Sequence, residues 1–231
     1  MFRDRRFTQI GINNYVPAMQ LSASVIGLGP TRFDLGTPAA AGALATLISA
    51  QGAVGPISYL ASPLVIDSTY GRTVSVTPSG VPGNANAVDL IGYDYVGQPL
   101  CERFTGSAAA SAALPGLKYW KVILGTRINV AATNAITFSI STGVSLGLPY
   151  KGRPIQATEG TTEMTEAQID TNWVKAVLTD PQTAATGDPR GGYTPTSAPN
   201  GVLNYQVSQI GDPSYNAAGN GGLHGIRQFA F

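Results

Sequence analysis

The chain has 231 residues, which is enough for one large domain with a substantial core. Charged residues make up only 12% of it and the formal net charge is +1, so we expect no broad basic surface and no nucleic-acid partner. A single cysteine excludes an internal disulfide. No apolar run reaches about 18 residues and none follows the first charged residues, so we expect neither a membrane-spanning segment nor a signal peptide.

Residues 1–34 alternate short apolar pieces with glycine, asparagine and proline, and keep neither a helical nor a strand period. We therefore expect an extended N-terminal arm and linker over residues 1–36. A single β-rich domain over 37–231, with a loop-rich C-terminal part, is expected to follow. Arginine and aromatic side chains at the start of the arm are candidates for partner binding through charge-assisted hydrogen bonds and aromatic anchoring. These candidates are Phe2, Arg3, Arg5, Arg6 and Phe7.

Residues 36–50 fit two local structures. Thr37 and Pro38 have the types expected of a helix N-cap and first helical residue, whereas Gly42 and the β-branched residues favour an extended chain. A short helix and an extended edge strand both stay open here. In the proline-punctuated stretch that follows, residues 64–66 predict a short strand.

Residues 72–148 carry the densest strand pattern. Within residues 72–78, Val74 and Val76 share one face and hydroxyl residues share the other, which predicts a half-buried strand. Further strands are predicted where apolar residues alternate or run together. They cover residues 118–124 continuing to 127–130, 135–141 with Ile136, Phe138 and Ile140 inward, and 143–149 with Val144, Leu146 and Leu148 aligned.

A β-hairpin is predicted in the middle of this stretch. Residues 87–96 and 99–105 flank the short connector Gly97-Gln98, where glycine supplies the positive φ of a tight turn. The second strand starts at Pro99, a position where a missing N–H does little damage.

Residues 151–165 form a predicted polar loop that opens the most acidic part of the chain. Thr165 and Gln168 have the spacing of a capping box, which predicts one short helical turn. The carboxylates match neither a calcium-loop template nor an evident glycosidase pair, so we expect a solvated loop. They are Glu159, Glu163, Glu166 and Asp170.

Two more strands are predicted after this acidic stretch. Residues 172–178 form the first, and residues 203–209 form the second, with Leu203, Tyr205 and Val207 on the core face. Taken together, the pattern predicts an all-β fold: an antiparallel β-sandwich or jelly-roll-like domain with an extended N-terminal arm and long C-terminal loops.

The loop over residues 185–195 supplies further partner-binding candidates. Asp188 and Arg190 are expected to pair, either within the loop or across a subunit boundary, and Tyr193 accompanies them. At the C-terminus, Phe229 and Phe231 are candidates for seating in a groove of a neighbouring subunit.

Residues that carry chemistry are scarce. One histidine, His224, cannot form a multi-histidine metal site, and no Gly-x-Ser-x-Gly elbow is present. Cys101 lies in a predicted strand, where we expect a small buried or half-buried thiol. The sequence therefore predicts a protein that is not an enzyme and has no catalytic residues, cofactor or metal site.

Several segments together resemble a strand-rich domain of tailed-phage virion proteins. The strand Arg-Thr-Val-Ser-Val-Thr is followed by a hairpin reading Val-Asp-Leu-Ile-Gly-Tyr-Asp-Tyr-Val-Gly-Gln-Pro-Leu-Cys-Glu-Arg-Phe-Thr-Gly over residues 88–106. Gly-Leu-Lys-Tyr-Trp-Lys-Val-Ile covers residues 116–123. Thr-Gly-Asp-Pro-Arg-Gly-Gly-Tyr-Thr-Pro and Leu-His-Gly-Ile-Arg-Gln, at 186–195 and 223–228, extend the resemblance over most of the chain after residue 72. The hairpin departs from the family pattern at several polar positions.

The resemblance implies an accessory capsid decoration protein, or cement protein, on the outer surface of the phage head, made in the host cytoplasm. Its expected partners are the major capsid protein and copies of itself, arranged as a homotrimer. A neck or tail component, such as a tube, collar or fibre-attachment protein, is the first alternative. A carbohydrate-binding β-domain that stacks Tyr93 and Tyr95 on sugar rings is the second.

Overall fold

A computed structural model describes residues 30–49, 57–78, 87–105, 112–130, 137–177 and 187–212. Strands dominate these residues. In chain order they are β1 (Thr31–Gly36), β2 (Ala43–Ser49), β3 (Ser58–Val65), β4 (Arg72–Pro78), β5 (Ala87–Tyr93), β6 (Pro99–Thr105), β7 (Leu114–Pro115), β8 (Val122–Val130), β9 (Thr137–Gly147), β10 (Gly152–Glu159) and β11 (Thr162–Glu163), then helix α1 (Glu166–Asn172), β12 (Trp173–Val174), β13 (Gly192–Tyr193) and β14 (Tyr205–Gly211).

The described strands pair antiparallel in three sheets. Sheet A has the order β1-β14-β10-β11, and sheet C has the order β3-β8-β5-β6. Sheet B has the order β12-β13-β9-β4-β7, with β2 also paired to β9. This arrangement confirms the predicted all-β, antiparallel, sandwich-like fold.

Within the described ranges, two hydrophobic cores lie between the sheets, and β9 contributes to both. Phe138 and Ile140 of β9 lie in the core between sheets B and C, together with apolar residues of β4, β5, β6 and β8. Leu146 of the same strand lies in the core that sheet A, sheet B and α1 share. Each fully buried side chain of this size stabilises the fold by about 1.5–3 kcal/mol. The eleven-residue strand β9 therefore couples the two cores.

Strand β9 merges two strands that the sequence pattern separates. Phe138 and Ile140 face inward as predicted, whereas Ile136 lies outside the described residues. The pairing with β4 shifts between residues 142 and 146, where β9 has more residues than its partner. This irregularity leaves Val144 exposed while Leu146 and Leu148 are buried, so the predicted alignment of Val144 with them is wrong.

The predicted hairpin forms as β5 and β6, but its turn is longer than expected. β5 ends at Tyr93 rather than at residue 96, and Asp94 organises the turn through its Oδ1 atom. That atom accepts hydrogen bonds from the backbone N–H groups of Val96 and Gln98, at 3.0 and 2.8 Å. Gly97 has the predicted positive φ, at 80°.

Residues 151–165 differ most from their predicted structure. The predicted polar loop is the hairpin β10–β11, and β10 pairs along its length with β14, which lies about fifty residues later in the chain. Ala157 faces the core, and this distant partner satisfies the backbone of an otherwise polar strand. Local sequence carries no sign of such a partner.

Several element boundaries also differ from the prediction. Residues 43–49 adopt the extended alternative, because β9 offers them a partner. β3 extends over eight residues. β8 begins at Val122 rather than at residue 118. Residues 118–121 are not part of a strand, and among them Trp120 forms an isolated bridge with Arg72 of β4. In the predicted strand at 172–178, of which the structure describes residues 172–177, only Trp173 and Val174 pair with another strand.

Other predictions match the structure closely. The capping box at Thr165 starts α1 as predicted, and Gln168 completes it. β14 begins two residues after the predicted start and buries Tyr205 and Val207 as expected.

Residues 31–36 are expected in the arm, but they form strand β1 and pair with β14. The expected division of the chain at residue 36 stays a prediction.

Candidate functional site

Asp188 and Arg190 pair within one loop, as one of the two predicted arrangements requires. Arg190 Nε lies 3.0 Å from Asp188 Oδ1, and Arg190 Nη2 donates to Asp188 Oδ2 at 3.1 Å. The backbone N–H of Arg190 donates to Oδ1 at 2.9 Å, and Gly191 follows with a φ of 80°. Both charged side chains are buried, so the ion pair is shielded from solvent and its geometry is set by these hydrogen bonds.

Arg190 also contacts the hairpin turn of sheet C. Its Nη1 atom lies 3.5 Å from Asp94 Oδ2, and its guanidinium carbon lies 4.9 Å from the ring centroid of Tyr95. Burial alone would lower the pKa of Arg190, but the carboxylates of Asp188 and Asp94 outweigh it, so the pKa is raised. Arg190 therefore stays charged and joins the β5–β6 turn to the loop that precedes β13.

A second buried polar contact joins sheet B to sheet A. The Tyr193 hydroxyl on β13 donates to Glu159 Oε1 on β10 at 3.0 Å and accepts from Asn172 Nδ2 at 3.2 Å. Glu159 also accepts the backbone N–H groups of Thr196 and Ser197, at 2.8 and 2.7 Å. Burial raises the pKa of Tyr193, so the phenol keeps its proton at neutral pH.

Glu102 is a third buried polar residue, on the core side of β6. Its carboxylate accepts hydrogen bonds from the Trp120 indole at 2.9 Å and from the backbone N–H groups of Leu117 and Lys118. Burial raises the pKa of Glu102 to about 7, against these donors and the charge of Lys118, which lower it. Through these hydrogen bonds, Glu102 connects residues 117–120, which precede β8, to sheet C.

The outward side of sheet C carries a row of charges across three strands. Asp89 on β5 lies directly opposite Arg103 on β6 and Arg127 on β8. The closest contacts of both arginines with the aspartate are 2.7 Å. The Asp89 side chain is fully buried beneath two half-exposed guanidinium groups, so the row presents positive charge to solvent.

The same side of sheet C exposes large apolar side chains. Tyr59 is 69% exposed, Val65 is 67% exposed and Tyr93 is 39% exposed. We call this surface the C face. It consists of the rows Val65–Val122–Tyr93–Pro99, Tyr59–Gly125–Ile91–Cys101 and Arg127–Asp89–Arg103.

A groove lies beside the edge of sheet A, between β10 and α1. Its volume is about 330 Å³, and residues 153–156 and Ile169 contribute to its walls. β11 pairs only with the last two residues of β10, so within the described part of the chain residues 153–156 have no strand partner on this side. The groove is bordered by three carboxylates and one guanidinium, those of Glu163, Glu166, Asp170 and Arg153. We call it the acidic groove.

The ten predicted partner-binding residues fall into two groups. Asp188, Arg190 and Tyr193 are buried and bond within the chain, so their side chains present almost no surface to a partner. The other seven lie outside the described residues, and their role stays a prediction. They are Phe2, Arg3, Arg5, Arg6, Phe7, Phe229 and Phe231.

Cys101 has the half-buried environment that the sequence predicts. Burial, followed by the charge of Asp89, raises the pKa of its thiol to about 11, so the thiol is protonated and a poor nucleophile at neutral pH. Within the described ranges no three histidine, cysteine or carboxylate side chains are grouped as metal ligands. His224 lies outside those ranges.

Tyr95 is not placed to stack on a sugar ring. Its ring packs against Tyr70 with centroids 5.1 Å apart and against Arg190, and its hydroxyl donates to the carbonyl of Pro149. Tyr93 keeps an exposed surface. The predicted pair of sugar-stacking tyrosines is therefore reduced to one.

The buried polar clusters, the C face and the acidic groove all form where separate strands and loops meet. The residue pattern within one segment therefore does not reveal them. The charge row could be predicted from the hairpin if its turn length were known, because Asp89 then lies opposite Arg103.

No protein-family model, curated protein or solved structure matches the chain. In the part of the chain that the structure describes, no helix is long and apolar enough to cross a bilayer.

Proposed function

We propose that this chain is a structural virion protein, an accessory capsid protein that binds the outside of a tailed-phage head and cements neighbouring shell subunits. The observation that carries the proposal is that buried polar contacts join all three sheets. Arg190 and Asp94 connect sheet B to sheet C, and Tyr193 and Glu159 connect sheet B to sheet A. A body cross-linked in this way resists deformation, which a protein that reinforces a pressurised shell needs.

The exposed surface supports binding to protein rather than chemistry on a small molecule. Ionisable groups such as Arg190, Asp89 and Glu102 are engaged in contacts within the chain, whereas Tyr59 and Val65 are exposed. Contiguous exposed apolar surface is typical of a protein-interaction site. Binding through such area, repeated over a lattice, adds resistance without a tight single site.

The virion setting of the proposal comes from the resemblance in residues 72–231. The partners are the major capsid protein and further copies of this chain, and the arm residues Phe2 to Phe7 are proposed to dock on a shell subunit. A neck or tail position would use the same kind of body, and it is an outcome of the test below.

Binding to heads made without this protein tests the proposal. Purified protein added to such heads should bind in many copies and raise the temperature at which they release their DNA. Replacing Arg3, Arg5 and Arg6 together by glutamine should weaken binding, because the arm loses its charge-assisted contacts. The control is Arg32→Gln, an exposed arginine outside the first residues of the arm. Binding to isolated tails but not to heads would favour the neck or tail role.

A further inference from the structure

Among the described residues, the C face is an exposed apolar surface with a positive end. The row Val65–Val122–Tyr93–Pro99 crosses all four strands of sheet C, and the row that contains Tyr59 lies beside it. Next comes the row in which Arg103 and Arg127 share one buried carboxylate. A surface that would cover this face must therefore offer apolar contact together with carboxylates.

The acidic groove offers both of these features on the same chain. Ile155 at its wall is exposed, and Met164 and Ile169 form its floor. Its border has an excess of negative charge, because only Arg153 faces the three carboxylates and it already contacts Asp170 and Glu166 at 3.0 and 3.9 Å. The groove is complementary to the C face in charge and apolar character.

The two surfaces belong to different regions of one molecule. Sheet C packs near Phe138 and Ile140 of β9, whereas sheet A and α1 pack near Leu146 of the same strand. One copy can therefore present its C face to a second copy while its acidic groove stays available to a third. This geometry is heterologous, and it closes into a ring when the rotation between copies allows.

We infer that copies of this protein associate head to tail, with the C face of one copy docking on the acidic groove of the next. The four strands and three rows of the C face cover roughly 20 Å by 15 Å, or about 300 Å², without the additional area of protruding side chains. Stable pairs bury about 800 Å² per partner, so a single contact is weak and ring closure strengthens it. The inference deepens the proposed function, on which it rests, by naming the surfaces through which copies contact each other.

Opposite charges placed at one position of the C face test this inference. Val65→Asp and Val65→Lys both remove an exposed apolar side chain, but only the aspartate is repelled by the acidic groove. Sedimentation equilibrium of the full chain should give a dissociation constant roughly tenfold higher for Val65→Asp, and one unchanged or lower for Val65→Lys. Adding Glu166→Lys to Val65→Asp should restore association.

Val202→Asp is the matched control, since Val202 is 80% exposed and lies on neither surface. It should leave association unchanged, and circular dichroism should show that every variant is folded. Equal effects of Val65→Asp and Val65→Lys, no effect of either, or a monomer at all concentrations would overturn the inference. Location on phage heads is measured separately. Heads decorated by a monomeric chain would refute this contact alone, and association without head binding would refute the proposed function.

Discussion

Burial, rather than distance, sets the energetic value of the ion pairs in this protein. Arg190 lies 3.0 Å from Asp188 with both side chains at most 1% exposed. Arg153 lies at the same 3.0 Å from Asp170, but these side chains are 52% and 51% exposed. Replacing each arginine by methionine compares two pairs that have the same closest distance and different solvent access.

The expected loss is large for the buried pair. Arg190→Met leaves the carboxylates of Asp188 and Asp94 in the interior without their cation, and breaking a buried pair costs about 3–5 kcal/mol. In a chain of this size 1 kcal/mol shifts the melting temperature by about 2–4 °C, so we expect a fall of roughly 6–20 °C. Arg153→Met should cost at most about 1 kcal/mol, because solvent already screens its charges.

Urea unfolding followed by tryptophan fluorescence, with thermal melts alongside, measures both variants. Adding Asp188→Asn to Arg190→Met should recover part of the lost stability, because one stranded charge is removed. If the unfolding free energies of Arg190→Met and Arg153→Met differ by less than about 1 kcal/mol, the buried cluster does not hold the sheets together.

Three further predictions concern single residues. The pKa of Glu102, raised to about 7, means that the folded chain holds this proton more tightly than the unfolded chain, so its stabilisation is lost as pH rises from about 4.5 through 7. Measured against Glu102→Gln, the wild-type unfolding free energy should fall by about 3 kcal/mol over that window. Gly92→Ala should cost more than about 3 kcal/mol, because the added methyl overlaps the Val122 carbonyl, whereas Gly97→Ala should cost about 1 kcal/mol for its positive φ alone. Alkylation of Cys101 at pH 8 should be roughly a hundredfold slower than that of a free thiol, given its pKa of about 11.

Each of these three predictions has a clear contradicting result. Parallel pH profiles of wild type and Glu102→Gln would show that the carboxyl titrates normally. Equal losses in the two glycine variants, measured by the same urea unfolding, would mean that the contact between β5 and β8 at Gly92 is looser than described. Rapid modification of Cys101 by iodoacetamide at pH 8, followed by mass spectrometry, would place the thiol in an open environment.

The sequence predicts the elements whose pattern is local. The alternation of Val74 and Val76 identifies β4, because a strand with one face in a core repeats every two residues. Thr165 and Gln168 identify the start of α1, because a capping box is complete within four residues.

The hairpin shows where local pattern stops being sufficient. A two-residue turn at Gly97-Gln98 would pair Asp89 with residue 106, whereas the turn organised by Asp94 pairs it with Arg103. The charge row on the C face therefore depends on turn length, which the residue types alone do not reveal.

Long-range pairing accounts for the remaining errors. β10 reads as a polar loop because its partner β14 is distant in sequence, and the acidic groove beside it could not be predicted for the same reason. The pairing of Asp188 with Arg190 could be predicted from their spacing, but Asp94 and Tyr95 reach Arg190 from another sheet. Contacts between residues on different sheets cannot be predicted until the arrangement of the sheets is known.

The most direct test of the proposed capsid role is to locate the protein in purified virions by immunogold labelling and to count its copies by quantitative gel densitometry. The proposal predicts many copies distributed over the outer surface of the head. A few copies confined to one vertex or to the tail would contradict the decoration role and favour the neck or tail alternative. Absence from virions would contradict both.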